Sequence, residues 1–342
     1  MHKVLMIIFW SLIAIGIAGC DLNQNSSIET LTAKGPIKIA VSNTPLSAPF
    51  FIAEQQGYFK RNNLNIELVR LDGGVKCFNA LLNKQVDLAT ASETVVMFNS
   101  FKQTNFSVLA SFVESDNDLK LLSLVPQKYH QLNNLANVRV GIVKSSASEF
   151  FFDSLLIMYN KTQQPIERIY LRADQLIPAL LNNEVDIISA WEPLSYLLTQ
   201  QITSNTKVIN SRGLYHLSFN LIELKQTTLS ASEKLALLKA INDAIDYIHT
   251  HSDLAQVDIS RILNIDPSQL QYSWNDYTFR LSLSNALFSN IQIQSQWAID
   301  NQLVPTEMSE SNTAKIIIPR WSRTVTTRDF GYGMVFYDAD SI

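Results

Sequence analysis

The residues able to do chemistry in this 342-residue chain gather in five short clusters: Ser42-Asn43-Thr44 with Ser47, Asp72-Gly73-Gly74, Ser92-Glu93, Ser145-Ser146-Ala147-Ser148, and Trp191-Glu192. Hydroxyls and glycine amides at helix starts offer neutral hydrogen-bond donors, a combination suited to a sulfonate, carboxylate or phosphate. Ser47 and Ser146 serve equally well as helix caps, and capping is compatible with ligand contact. Trp191 either stacks on a flat ligand or closes an apolar pocket. Glu93 and Glu192 would repel an anion. Either they turn away to hold backbone amides, or the ligand carries an amine or an aminopyrimidine. Asn220 is a further candidate contact.

Bond-making chemistry is poorly supplied. Cys77 has no partner once Cys20 is accounted for below, and it reads as a small packed residue. His130, His216, His249 and His251 form no cluster, and the last two are spaced to face different ways on a helix. No metal or cofactor is expected. The net charge of −4 with mixed signs leaves no basic stripe for nucleic acid.

The elements that position these clusters come from an internal repeat. Residues 80–93, Ala-Leu-Leu-Asn-Lys-Gln-Val-Asp-Leu-Ala-Thr-Ala-Ser-Glu, return ninety-nine positions later as 179–192 with eight of fourteen identical, among them Asp87 with Asp186 and Glu93 with Glu192. Trp191 replaces Ser92, a difference that favours a ligand role over shared packing. Asp87 and Asp186, at matched places, suit backbone satisfaction in a turn better than contact with one asymmetric ligand. The strand-like Ile37–Val41 and Val138–Ile142 precede the two copies, so each half reads strand, helix, strand, helix, strand. Ser47-Ala48-Pro49 opens a helix that stops at Gly57, and Ser146 with Glu149 reads as a capping box. Such alternation implies parallel sheets wound by right-handed crossovers, hence two α/β lobes. Segments 110–126 and 208–220 are the candidate lobe crossings. Further on, Ser230 and Glu233 cap a helix with Leu235, Leu238, Ile241, Ile245 and Ile248 on one stripe, and helices are expected over 254–263 and 281–300.

In open parallel sheets ligands sit beyond the carboxyl ends of the strands, which is where the five clusters fall. At the N-terminus, His2 and Lys3 precede an apolar run from Val4 to Ile17, followed by Ile17-Ala18-Gly19-Cys20, the layout of a secretory signal. The last four residues resemble the lipobox of bacterial lipoproteins, which implies a leader over residues 1–19 and lipidation at Cys20. Residues 20–35 read as a polar tether. Loss of Lys3 with the leader would take the mature chain to a net charge of −5 (26 − 31).

The segment Ala53-Glu54-Gln55-Gln56-Gly57-Tyr58-Phe59 followed by Asn63-Leu64-Asn65-Ile66-Glu67 resembles the opening of the substrate-binding proteins for nitrate, alkanesulfonates, taurine and thiamine precursors. Gly73-Gly74, the Leu-Asn-x-x-Val-Asp turns and Trp191-Glu192-Pro193 fit the same family over about residues 37–300. Asn63 departs from its usual Gly, at a position where both adopt a left-handed backbone. The resemblance implies a type II periplasmic-binding-protein fold with two doubly wound lobes joined by two crossing segments. Lobe 1 is expected over 36–118 plus 216–312 and lobe 2 over 119–215, with a C-terminal tail, 313–342, of no recognised counterpart. The implied function is capture of a small anionic or heterocyclic solute for an ABC permease and its ATPase, on the periplasmic face of the cell membrane. Alternatives are a ligand sensor reporting to a membrane partner, or an enzyme like the thiamine-pyrimidine synthases. The iron-binding cysteine motif of those enzymes has no counterpart here.

Overall fold

The computed structural model describes residues 35–202, 208–209, 212–227, 229–305 and 335–336. The expected leader, Cys20, nearly all of the expected tether, and all of the C-terminal tail except 335–336 lie outside the described residues.

The first half begins with β1 (Ile37–Ser42), α1 (Ala48–Gln55), the single turn α2 (Tyr58–Arg61), β2 (Ile66–Leu71), α3 (Gly74–Leu82), β3 (Leu88–Ser92) and α4 (Glu93–Ser100). After β4 (Phe106–Ser115) the chain crosses to β5 (Leu119–Leu122), β6 (Val138–Ile142), α5 (Ala147–Met158), β7 (Ile166–Tyr170), α6 (Ala173–Leu181), β8 (Ile187–Trp191), α7 (Leu194–Gln201) and β9 (Val208–Ile209). It returns through β10 (Leu217–Leu224), α8 (Ala231–Thr250), α9 (Ser252–Leu263), α10 (Pro267–Trp274), β11 (Tyr277–Leu283), α11 (Asn285–Asp300) and the short β12 (Val335–Phe336).

Two sheets result, ordered β12-β11-β4-β10-β3-β1-β2 and β7-β6-β8-β5-β9. The duplication is kept at the level of register. Ile37 pairs with Ile66 and Ile39 with Leu88 in one sheet, as Val138 pairs with Ile166 and Val140 with Ile187 in the other, all parallel. The strand contributed across each junction, β10 in the first sheet and β5 in the second, runs antiparallel to its neighbours. These are the two doubly wound lobes and two crossings that the sequence resemblance implies. The crossings touch each other where the Gly213 N–H donates to the Asp116 carbonyl at 3.1 Å. Gly213 (φ 77°) makes that turn in the left-handed region.

Sequence and structure agree on the aspartates of the repeat. Asp87 Oδ2 accepts from the Lys38 N–H at 2.8 Å while the Asp87 N–H donates to the Lys38 carbonyl. Asp186 does the same with Arg139 and also takes its guanidinium, at 3.1 Å to both Nε and Nη2. Each carboxylate thus pins the loop before β3 or β8 to the first strand of its sheet. Asn63 adopts the left-handed backbone expected of it, φ 57°.

Three local expectations need correction. The helix expected from Leu281 starts at Asn285; Tyr277–Leu283 is a strand, and its buried Tyr277 and Phe279 alternate with exposed Thr278 and Arg280. That period of two is a strand pattern, and it outweighs the helical spacing of the apolar residues after it. Helix α10 was not foreseen, although Asp266 caps it through the Ser268 N–H at 2.7 Å and Pro267 opens it, a regular start signal. In the third case Glu149 accepts from the Ser145 N–H rather than from Ser146, one residue earlier than a capping box requires.

Asp87 reaches its peptide partner from a separate loop, so its removal leaves a buried-edge N–H without an acceptor. Asp87→Ala is expected to lower the unfolding free energy by about 1–3 kcal/mol, with Asp87→Asn closer to wild type, as read from urea denaturation midpoints. An Asp87→Ala midpoint equal to wild type would show that the turn holds without the carboxylate.

Candidate functional site

The five clusters stand at the carboxyl ends of β1, β2, β3, β6 and β8. On the first lobe, β1 ends at buried Ser42, whose N–H donates to Thr90 Oγ1 at 3.1 Å, and Thr44 Oγ1 lies 3.4 Å from Ser42 Oγ. Asn43 is exposed and Thr44 half-buried. Ser47 precedes α1 but makes no cap bond, and its hydroxyl, wholly buried, has no hydrogen-bond partner. The capping role open to Ser47 in the sequence is therefore not the one it plays. Beyond β2, Gly73 takes φ 85° to start α3, again with no side-chain cap. A Cβ on Gly74 would lie 2.9 Å from Ala91 Cα, so the start of α3 presses against β3. The start of α3 thus carries N–H groups that no side chain caps, and a helix start is electropositive. At α1 the first N–H, of Ala48, already donates to the Pro45 carbonyl, and Pro49 has none.

The second lobe has different helix starts. Ser146 Oγ donates to the Val143 carbonyl at 2.7 Å and accepts from the Ser148 N–H at 3.2 Å. Ser148 and Ser189 exchange hydroxyl-to-carbonyl bonds of 2.7 Å each way, fastening α5 to β8. Ser145 sits in the left-handed region, φ 52°, half-buried at the mouth of this loop. Trp191 is half-buried at the end of β8. Ser92 caps α4 through the Val95 N–H at 3.5 Å. Buried Asn220, on β10, accepts from Ser111 Oγ at 2.7 Å and donates to the Ala91 carbonyl at 3.3 Å.

Both glutamates of the repeat are enclosed by protein donors. Glu93 takes the Tyr215 hydroxyl, the Ser218 N–H at 2.8 Å, the Ser218 hydroxyl at 3.2 Å and Gln294 Nε2 at 3.2 Å. Burial pushes its carboxyl up to about 7 against these donors. Glu192 binds the Lys120 ammonium and accepts from the Tyr196 N–H at 3.3 Å, both side chains buried. Beside them Asp118, on the first crossing, is pushed up to about 7, by burial first and by Glu192 second. Tyr215, Gln294 and Lys120 were not singled out in the sequence. Lys120 lies in a strand-like run, Leu119-Lys-Leu-Leu, that carries no mark of a buried ion pair.

Among the described residues, no group of three or more His, Cys, Asp or Glu side chains is placed to hold a metal ion. Cys77 is buried against α3's own lobe, and burial pushes its thiol up to about 12.

Glu93 and Asp118 both titrate higher in the fold than in a free chain. Their contribution is full below about pH 4, where the unfolded groups are protonated as well, and is lost as pH rises through about 7. The urea midpoint is accordingly expected to fall between pH 5 and pH 8, and Glu93→Gln to flatten that slope. A Glu93→Gln profile as steep as wild type would place the titration elsewhere.

A family model described as NMT1/THI5 like matches residues 44–255. Comparison with curated proteins finds no match. The periplasmic aliphatic sulphonate binding protein SsuA from Escherichia coli superposes with a TM-score of 0.69 at 15% identity, covering 84% of this chain and 98% of that one. The alkanesulfonate-binding protein SsuA from Xanthomonas axonopodis pv. citri, bound to MOPS, gives 0.68 at 15% identity, covering 82% and 99%. The periplasmic nitrate-binding protein NrtA from Synechocystis PCC 6803 gives 0.62 at 12% identity, covering 87% and 91%. These likenesses establish the periplasmic-binding-protein fold. The match of the family model over more than half of the chain places this protein in the NMT1/THI5-like family.

Proposed function

We propose that this chain is the solute-binding component of an ABC importer, capturing a small anionic or heterocyclic solute of the sulfonate, nitrate or thiamine-pyrimidine-precursor class. The observation that carries the reading is the uncapped start of α3 at the end of β2 together with the buried Ser47 hydroxyl, without a hydrogen-bond partner, in the turn after β1. A buried hydroxyl without a partner costs free energy, which a bound acceptor would recover. Lys120 offsets the charge of Glu192, and burial, which pushes the Glu93 carboxyl up to about 7, favours its neutral form, so the repulsion that their types alone suggested is reduced. In this reading Ser42, Asn43, Thr44, Ser47, Gly73 and Gly74 meet the solute from lobe 1, and Ser145 and Trp191 from lobe 2. Ser92, Glu93, Ser146, Ser148, Glu192 and Asn220 hold the loops that present them. The work is a shift of population toward a ligand-bound state, with no bond made or broken.

Support for the solute class comes from fold relatives described as sulfonate- and nitrate-binding proteins. The remaining parts of the reading rest on the sequence: lobe boundaries near residues 118 and 216, a leader cut before Cys20, and a lipid at that thiol holding the receptor near its permease on the periplasmic face of the membrane.

Titration of the mature chain with alkanesulfonates, MOPS, nitrate and phosphorylated aminopyrimidines is expected to raise the melting temperature with at least one of them. At a hundredfold excess over the dissociation constant the gain is about 2.7 kcal/mol. Ser47→Ala is expected to weaken that ligand about tenfold or more while leaving the stability of the free protein unchanged or slightly improved. Absence of any stabilising small molecule would overturn the binding role.

Lipidation has its own readout. The wild-type chain is expected in the membrane fraction and to incorporate labelled fatty acid, and Cys20→Ala to do neither. Equal membrane association of the two would remove Cys20 as the anchor.

A further inference from the structure

Lys120 projects from β5, whose Leu119 pairs antiparallel with Trp191 at the end of β8. Its ammonium binds Glu192 Oε1 and lies 5.4 Å from the centre of the Tyr272 ring, with side-chain exposures of 4% for Lys120 and 2% for Glu192. The second Glu192 oxygen accepts from the Tyr196 N–H at the start of α7. Neither charge is shared with solvent, and Glu192 directly follows Trp191 at the mouth of lobe 2. In a medium where water does not screen it, one uncancelled charge at that place would dominate the field felt by a small ion. The sequence repeat puts the other glutamate, Glu93, at the matching place of lobe 1, where it meets neutral donors instead of a cation.

We infer that Lys120 determines the charge selectivity of the cleft: by cancelling Glu192 it makes the lobe 2 face neutral, so that an anion drawn to the start of α3 and the Ser47 hydroxyl in lobe 1 is admitted. Lys120 is a positioning and charge-setting residue that does not itself touch the solute. The inference rests on the anion reading of the preceding subsection.

The charge of the pair, rather than its presence, is what the experiment must vary. Calorimetric titration with MOPS, ethanesulfonate and nitrate is compared for wild type, Glu192→Gln, Lys120→Met and the double variant, each with its thermal melt. Both single variants lose stability, because each leaves one buried charge alone. Their affinities are expected to move in opposite directions, tighter for Glu192→Gln and weaker for Lys120→Met, each on the order of tenfold. The double variant is expected to return near wild type in affinity. Asp118 is the other carboxyl beside Lys120, so Glu192→Gln is also made with Asp118→Asn to keep a second carboxylate from taking the ammonium. A purely structural ion pair would lower stability in both singles and leave the affinities equal or shift them the same way, which overturns the inference while the anion site stands. If Lys120→Met does not fold, Glu192→Gln and the double variant decide: tighter binding in the first and reversal in the second support it, and equal affinities sink it. No binding of any probe by wild type sinks the anion reading, and this inference with it.

Discussion

A carboxyl group taken fully out of water must be given donors, and Glu93 is such a group. Its partners come from two places far from it in the chain: Tyr215 and Ser218, where the second crossing enters β10, and Gln294 on α11. Satisfying this one side chain therefore fixes how the returning segment and the last long helix lie against the end of β3. The Tyr215 ring in turn packs against Phe150 of α5, 5.5 Å between centroids, and Phe150 packs on Trp297 of α11 at 5.0 Å. Trp297 Nε1 donates to Asp153 of α5 at 3.0 Å. A polar hub in one lobe is thus continuous with aromatic packing on a helix of the other.

The duplicated halves use the same frame to different ends. Asp87 and Asp186 repeat their backbone bonds nearly unchanged, each tying the loop before the third strand of its repeat to the first strand. Glu93 and Glu192 occupy equivalent positions and diverge in how their charge is managed, by burial among neutral donors in one lobe and by an ammonium in the other. The helix starts diverge as well. Ser146 caps the start of α5 through the Ser148 N–H, whereas the start of α3 has no side-chain cap. The two copies of the repeat thus present different polar groups at the ends of equivalent strands.

Much of this was legible beforehand because it depends on neighbours in sequence. The repeat, the alternation of strands and helices, the capped start of α8 and the left-handed Asn63 are local signals, set by periodicity and by which backbone conformations a residue tolerates. The family resemblance added the type II arrangement, in which two crossing segments join the lobes. Where one local signal competes with another, as at Leu281, the period of two in Tyr277–Leu283 decides, and α10 is a helix of only eight residues whose regular start is its main local mark.

What the sequence by itself determined was the frame and the residue types at its open ends: hydroxyls, glycines, a tryptophan and two glutamates. Only the tertiary structure decided which of them are spoken for. Ser47 and Ser146 are the same residue before the same kind of helix, yet one is left without a partner and the other makes two bonds. Glu192 looked like an obstacle to anions until Lys120, seventy-two residues away, was placed against it. Hydrogen bonds and ion pairs of this kind are formed through space by groups whose separation along the chain carries no signal, and so burial and partnership are properties of the fold rather than of any segment within it.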